Sequence, residues 1–131
     1  MTKLVLFVCV HNSGRSQMAE AFFNRLTDGR AISGSAGTEP TDGLNPTVVE
    51  AMGEIGIDLT GARPKLLTQH MLDRADRVIT MGCSVEESCP ALFLPQVEDW
   101  GLEDPAGKPM EKVRQIRDEI AVRVKGLLAE L

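Results

Sequence analysis

In Lys3-Leu4-Val5-Leu6-Phe7-Val8-Cys9-Val10-His11-Asn12-Ser13-Gly14-Arg15-Ser16-Gln17-Met18-Ala19 an apolar run ends on a thiol, a short polar loop follows, and an arginine opens a helix. Lys3 to Val8 has the continuous apolar character of a buried strand, whereas Met18, Ala19, Phe22, Phe23 and Leu26 recur at helical spacing. The loop between them therefore lies at a helix N-terminus. Unpaired N–H groups and the positive end of the helix dipole favour a tetrahedral anion there. The same field favours thiolate over thiol at Cys9, and Arg15 brings a planar, permanently charged fork that can grip two oxygens of the anion. Asn12 and Gly14 tolerate left-handed backbone angles and can turn amides inward, while Ser13 and Ser16 offer hydroxyls. Val10, His11, Asn12, Ser13, Gly14, Arg15 and Ser16 thus form a candidate oxyanion cradle, with Cys9 as its nucleophile. A free cysteine at a strand end is also a common small core residue, and Cys-x5-Arg alone is a loose pattern. Strand, thiol, Asn/Ser/Gly loop, Arg-Ser and helix start together are far more restrictive.

Outward from this stretch, Asp28-Gly29 stops the first helix, Ala31 to Ser35 forms a second short strand, and a loop rich in Gly, Thr, Asp and Pro follows. Asn45-Pro46 reads as an N-cap with proline at the first helical position, and its helix carries Val48, Val49, Met52 and Ile55 on one stripe up to Gly56. Val78 to Met81 is a third strand ending beside Cys83, and Leu92 to Leu94 with Gln96 to Glu98 make a fourth, broken at Pro95. From Pro109 to Leu131, Val113, Ile116, Ile120, Val124, Leu127 and Leu131 share one helical face. The alternation predicts an α/β three-layer sandwich, a four-stranded parallel sheet with helices on both faces, binding its ligand at the strands' carboxyl ends. That rule brings Cys9, Cys83 and Asp104 to one side of the sheet.

The 131 residues, 43% hydrophobic and 25% charged, are expected to form a single domain over 1–131 with a substantial core. No apolar run approaches the ~20 residues of a membrane span, and Met1-Thr2-Lys3 leads into the first strand without a signal-peptide pattern. Three cysteines suit thiol chemistry in a reducing cytoplasm rather than a disulfide framework. A net charge of −5 argues against nucleic acid or an anionic membrane as partner, so the positive potential of the cradle has to be local. A monomer is expected.

The cradle resembles that of the low-molecular-weight tyrosine phosphatase superfamily, whose anion loop has the form Cys-x5-Arg-Ser on a small parallel sheet. Asn12-Ser13 and Arg15-Ser16-Gln17-Met18-Ala19-Glu20 are similar, within it, to the arsenate reductases recycled by thioredoxin or a related thiol donor. Ser33 to Gly37, Gly56 to Asp58, Val78 to Cys83, Cys89-Pro90, Asp99-Trp100 and Glu103-Asp104-Pro105 keep that family's order over nearly the whole chain. The resemblance implies Asp104 as the general acid that protonates a departing oxygen. From composition alone Asp104-Pro105 is an ordinary turn, and Asp99 is a weaker rival for the acid. The resemblance also implies that arsenate is the substrate and that Cys9, Cys83 and Cys89 pass an oxidation along, ending as a Cys83–Cys89 disulfide. No cofactor is bound, and thioredoxin is the expected external reductant.

By residue type, Cys83 and Cys89 are equally two buried thiols, while their spacing is unlike the tight gaps of a zinc site. Were Ser84 to Ser88 helical, the two Cα atoms would stand about 9 Å apart, beyond the ~7 Å reach of a disulfide. Pairing then requires the segment to unwind, which Pro90 eases by disfavouring helical angles at Cys89. Some such reductases bind potassium behind the cradle. Asn12, Glu20 and Ser35 match its ligands, but Lys65 stands at the remaining carboxylate position, and its ammonium is expected to substitute for the ion. Two rival functions stand beside the reductase. One is a phosphotyrosine phosphatase using Cys9, Arg15 and Asp104 alone, against which counts a chain without tyrosine and with few aromatics to wall a phenyl ring. The other is a non-enzymatic anion-binding or signalling module.

Overall fold

The computed structural model describes residues 3–82 and 97–131. Its elements in chain order are β1 (Lys3–Cys9), α1 (Arg15–Leu26), β2 (Ala31–Gly37), α2 (Pro46–Gly53), α3 (Gln69–Arg74), β3 (Arg77–Thr80), β4 (Val97–Asp99) and α4 (Met110–Glu130). The strands form one parallel sheet in the order β2-β1-β3-β4, which is the expected architecture. After β2 the chain crosses to the other side of β1, so the strand order reverses there. A crevice opens at such a point beyond the carboxyl ends of the strands, and Cys9 closes β1 at that end.

β1 is apolar at every position from Leu4 to Val8 because both of its faces are covered. Val5, Phe7 and Cys9 enter the large core with α1, α2 and α4, while Leu6 and Val8 meet Leu72, Ala75 and Val78 on the opposite face. Phe7 lies edge-on to Phe23 with ring centroids 6.0 Å apart and tilted against Trp100 at 5.8 Å. Full burial of a phenyl side chain contributes about 1.5–3 kcal/mol, so these rings fasten α1 and the segment after β4 to the strand that carries Cys9.

Several boundaries differ from expectation. β1 continues through Cys9 and β2 through Gly37. α2 stops at Gly53 instead of Gly56: Ile55 and Gly56 donate their N–H groups to Met52 and Gly53 in a tight turn, and Gly56 has φ +83°. Ile55 is consequently 40% exposed and leaves the apolar stripe. α3 was not among the expected elements; it is six residues long, capped by Thr68 Oγ1 accepting the Met71 N–H, and too short to carry a periodic signal. In α4, Val113, Ile116, Ile120, Val124 and Leu127 are buried as expected, with Leu131 partly covered. Of the expected fourth strand, Val97 and Glu98 lie in β4, and Leu92 to Leu94 and Gln96 lie outside the described residues. Among the described residues no helix is long and apolar enough to cross a membrane.

Candidate active site

The loop from Cys9 to Arg15 is drawn open from behind. The carbonyls of Cys9, Val10, His11 and Ser13 accept the N–H groups of Thr38, Glu39, Thr41 and Asn45 at 3.3, 2.8, 3.3 and 2.9 Å. With these oxygens held on one side, the N–H groups of Ser13 and Gly14 have no protein acceptor among the described residues, and the first turn of α1 adds its own free donors. Asn12 takes the left-handed angle expected of it, φ 53°. Gly37 makes the close approach possible, since a Cβ there would stand 2.6 Å from Val10 O and 2.9 Å from Asn12 N.

Cys9 is buried, and the direction of its hydrogen bonds follows from its neighbours. Asn12 Oδ1 accepts the backbone N–H of Lys65 at 2.8 Å and Gln17 Nε2 at 3.0 Å. A backbone N–H can only donate, so this atom is the amide oxygen, and Asn12 Nδ2 is the atom that donates to Ser16 Oγ at 2.6 Å. Ser16 Oγ lies 2.8 Å from Cys9 Sγ, and toward the thiolate, which can only accept, its hydroxyl donates. The Asn12 N–H also donates to Cys9 Sγ, at 3.1 Å. Two donors aimed at one sulfur stabilise negative charge on it. Gln17, whose Nε2 donates to both Asn12 Oδ1 and Arg63 O, is part of this chain. The sequence motif alone assigns it no role; the available signal is a polar residue on the first turn of a helix that buries that face.

Arg15 is 7% exposed. Its Nη1 donates to Met81 O at 2.7 Å and Leu102 O at 2.8 Å, more weakly to Gly82 O at 3.5 Å, and its Nη2 lies 3.8 Å from Asp104 Oδ2. Gly82 has φ +101°, and a Cβ there would meet Leu102 O at 2.5 Å and Arg15 Nη1 at 2.9 Å. Asp104 is both a turn residue and a neighbour of the cradle: its Oδ1 accepts the Ala106 N–H at 3.0 Å, and Pro105 is buried so close to Gly14 that a Cβ there would be 3.0 Å from Pro105 Cγ. Asp99, the rival acid, instead accepts Thr80 Oγ1 at 2.7 Å and the Gly82 N–H at 2.9 Å. His11 sits exposed at the rim with Nδ1 3.1 Å from Glu39 O. Since a carbonyl only accepts, that nitrogen carries the hydrogen. Val10 and Ser13 are half-buried and Gly14 and Ser16 buried. Cys83 and Cys89 lie outside the described residues.

Behind the cradle, Lys65 Nζ stands 3.5 Å from Glu20 Oε1 and 3.4 Å from Ser35 Oγ, and Ser35 Oγ donates to Glu20 Oε1. These oxygens already hold an ammonium. A potassium ion at the same carboxylate would face a like charge within contact distance, so this donor set does not fit one.

Comparison with known proteins agrees with this geometry. The family model of the low molecular weight phosphotyrosine protein phosphatases matches residues 4–131. An arsenate reductase of Staphylococcus xylosus is 41% identical over 131 residues, covering 94% of each chain. A solved arsenate reductase in the phosphate-binding state superimposes with a TM-score of 0.87 at 38% identity, covering 98% of both chains. A thioredoxin-dependent arsenate reductase of Corynebacterium glutamicum gives 0.82 at 37% identity, with 98% of this chain and 61% of that one covered. With the family model matched from residue 4 to residue 131 and a relative 41% identical over almost the whole of both chains, the chain belongs to the low molecular weight phosphotyrosine protein phosphatase family.

Proposed function

We propose that the chain is an arsenate reductase that converts arsenate to arsenite through a relay of three thiols. The observation that carries this reading is the Cys9 sulfur held by two donors at the floor of an amide cradle, in a chain whose relatives of similar length are arsenate reductases. In the first step the Cys9 thiolate attacks arsenic(V): a sulfur–arsenic bond forms, an arsenic–oxygen bond breaks, and Asp104 supplies the proton that lets the oxygen leave as water. The amides and Arg15 hold the charge on the remaining oxygens. The Cys83 thiolate then attacks Cys9 Sγ. A disulfide forms, the sulfur–arsenic bond breaks with its electron pair left on arsenic, and arsenic(III) departs as arsenite. Cys89 next attacks the Cys83 sulfur, which restores the Cys9 thiolate and leaves a Cys83–Cys89 disulfide for an external dithiol to reduce.

Thioredoxin is the proposed donor, because a structural relative is thioredoxin-dependent. A relay that must be re-reduced after every turnover belongs in a compartment rich in thiols, so the chain is assigned to the cytoplasm. Lys65 supplies the fixed positive charge behind the cradle, and potassium is not required. The phosphatase reading shares only the first step and needs neither Cys83 nor Cys89.

The test is arsenite production by wild type and Cys83→Ser, with thioredoxin as reductant and with potassium or sodium at matched ionic strength. The variant loses arsenite release by about a thousandfold or more, the scale of losing a nucleophile, while slow aryl-phosphate hydrolysis survives. Peptide mapping of arsenate-treated wild type finds the Cys83–Cys89 disulfide, and the two salts give equal rates. Arsenite released by the variant at the wild-type rate, or none from wild type, overturns the relay.

A further inference from the structure

We infer that Asp99 is a positioning residue for the second sulfur of the relay, acting through the Met81–Gly82 peptide one residue ahead of Cys83; the inference rests on the reductase reading above. Met81 O and Gly82 N belong to the same peptide plane. Its oxygen accepts Arg15 Nη1 at 2.7 Å, and its N–H donates to Asp99 Oδ1 at 2.9 Å. A guanidinium at the oxygen and a carboxylate at the nitrogen align with the peptide dipole from both ends, and both hydrogen bonds are charge-assisted. The same Asp99 oxygen accepts the hydroxyl of fully buried Thr80 at 2.7 Å, and the Trp100 N–H donates to Thr80 O at 2.9 Å. Asp99 is therefore itself held against the end of β3.

Gly82 completes the arrangement. Its φ of +101° turns the chain sharply, and the space its missing Cβ leaves is filled by Leu102 O and Arg15 Nη1. Cys83 follows directly in sequence. The Met81–Gly82 peptide, one residue ahead of Cys83 in sequence, is thus referenced to the arginine that grips the oxyanion, with Asp99 as the opposing tether. Arg15 does not depend on that tether, since Leu102 O holds the same Nη1 at 2.8 Å. Loss of the Asp99 carboxylate therefore separates the two halves of the chemistry: anion binding and attack by Cys9 persist, and attack by Cys83 slows.

The experiment compares wild type, Asp99→Ala and Asp99→Asn in two assays, thioredoxin-coupled arsenite formation and p-nitrophenyl phosphate hydrolysis, which needs Cys9, Arg15 and Asp104 only. For Asp99→Ala, which loses both hydrogen bonds accepted by the carboxylate outside the anion site, arsenite formation falls about tenfold while aryl-phosphate hydrolysis stays within about twofold. Asp99→Asn, which keeps an oxygen acceptor, recovers most of the arsenite rate. Preserved hydrolysis also reports that the variant is folded. Parallel loss of both activities in both variants, or unchanged arsenite formation in Asp99→Ala, overturns the inference. Wild type that hydrolyses aryl phosphate but yields no arsenite would instead sink the reductase reading, a result distinct from either.

Discussion

Asn12 sets the polarity of the site by being unable to turn over. Its oxygen is claimed by a backbone N–H from Lys65 and by Gln17, so its amide nitrogen faces Ser16, and the serine hydroxyl is left to donate to the Cys9 thiolate. Ser16→Ala removes one of the two donors on Cys9 and strands Asn12 Nδ2 in a buried place. A hydrogen bond to a charged atom contributes about 1.5–3 kcal/mol, so aryl-phosphate turnover falls roughly 10- to 100-fold. Alkylation of Cys9 by iodoacetamide at neutral pH, read by mass spectrometry, slows alongside; an unchanged alkylation rate would show that the Asn12 N–H suffices. The residues of this set were legible, because Cys9, Asn12, Arg15 and Ser16 stand in one short run. The direction of their hydrogen bonds was not, since it is imposed by Lys65 from 53 positions away. Nor was the job of Asp99, whose partners lie at and just beyond the end of another strand.

Between elements, the clasp of α2 to α4 depends on pH. Glu54, which caps the end of α2, takes Arg114 in a two-pronged pair at 2.9 and 2.6 Å and Arg117 Nη1 at 3.0 Å. The hydrogen-bonded Arg114 guanidinium is the main cause, opposed by partial desolvation and aided by Arg117, that lowers the carboxyl from 4.5 to about 2. A folded-state value below the unfolded one means that the contribution is complete above pH 4.5 and lost as pH falls toward 2. Thermal melts across that interval fall more steeply for wild type than for Glu54→Gln; identical slopes would show that the clasp adds nothing. The same elements mark how far periodicity reaches. The stripe Val48, Val49, Met52 continues in register to Ile55, so a helix through Gly56 was the natural expectation. The chain turns earlier, at Gly53, and the next carboxylate is engaged by the arginines of α4. A stripe records which residues could face the core and is silent on a contact made by a helix sixty residues on.

For the molecule as a whole, the parallel sheet and its covered faces followed from alternating strand and helix patterns, and the position of the cradle followed from the rule that ligands sit beyond the carboxyl ends of strands. What the patterns could not supply was depth. The 38–45 segment reads as a plain polar loop, yet it is the scaffold that holds four carbonyls away from the ligand. A receptor made of main-chain amides and one guanidinium senses charge and tetrahedral outline, and phosphate offers both. Phosphate should therefore raise the KM for arsenate without changing kcat in steady-state kinetics, and a fall in kcat would place it elsewhere. Sorting between the two ions happens by fate instead of fit: both are admitted, and only the one whose central atom can keep the electron pair of its bond to sulfur, passing from the +5 to the +3 state, leaves as something new.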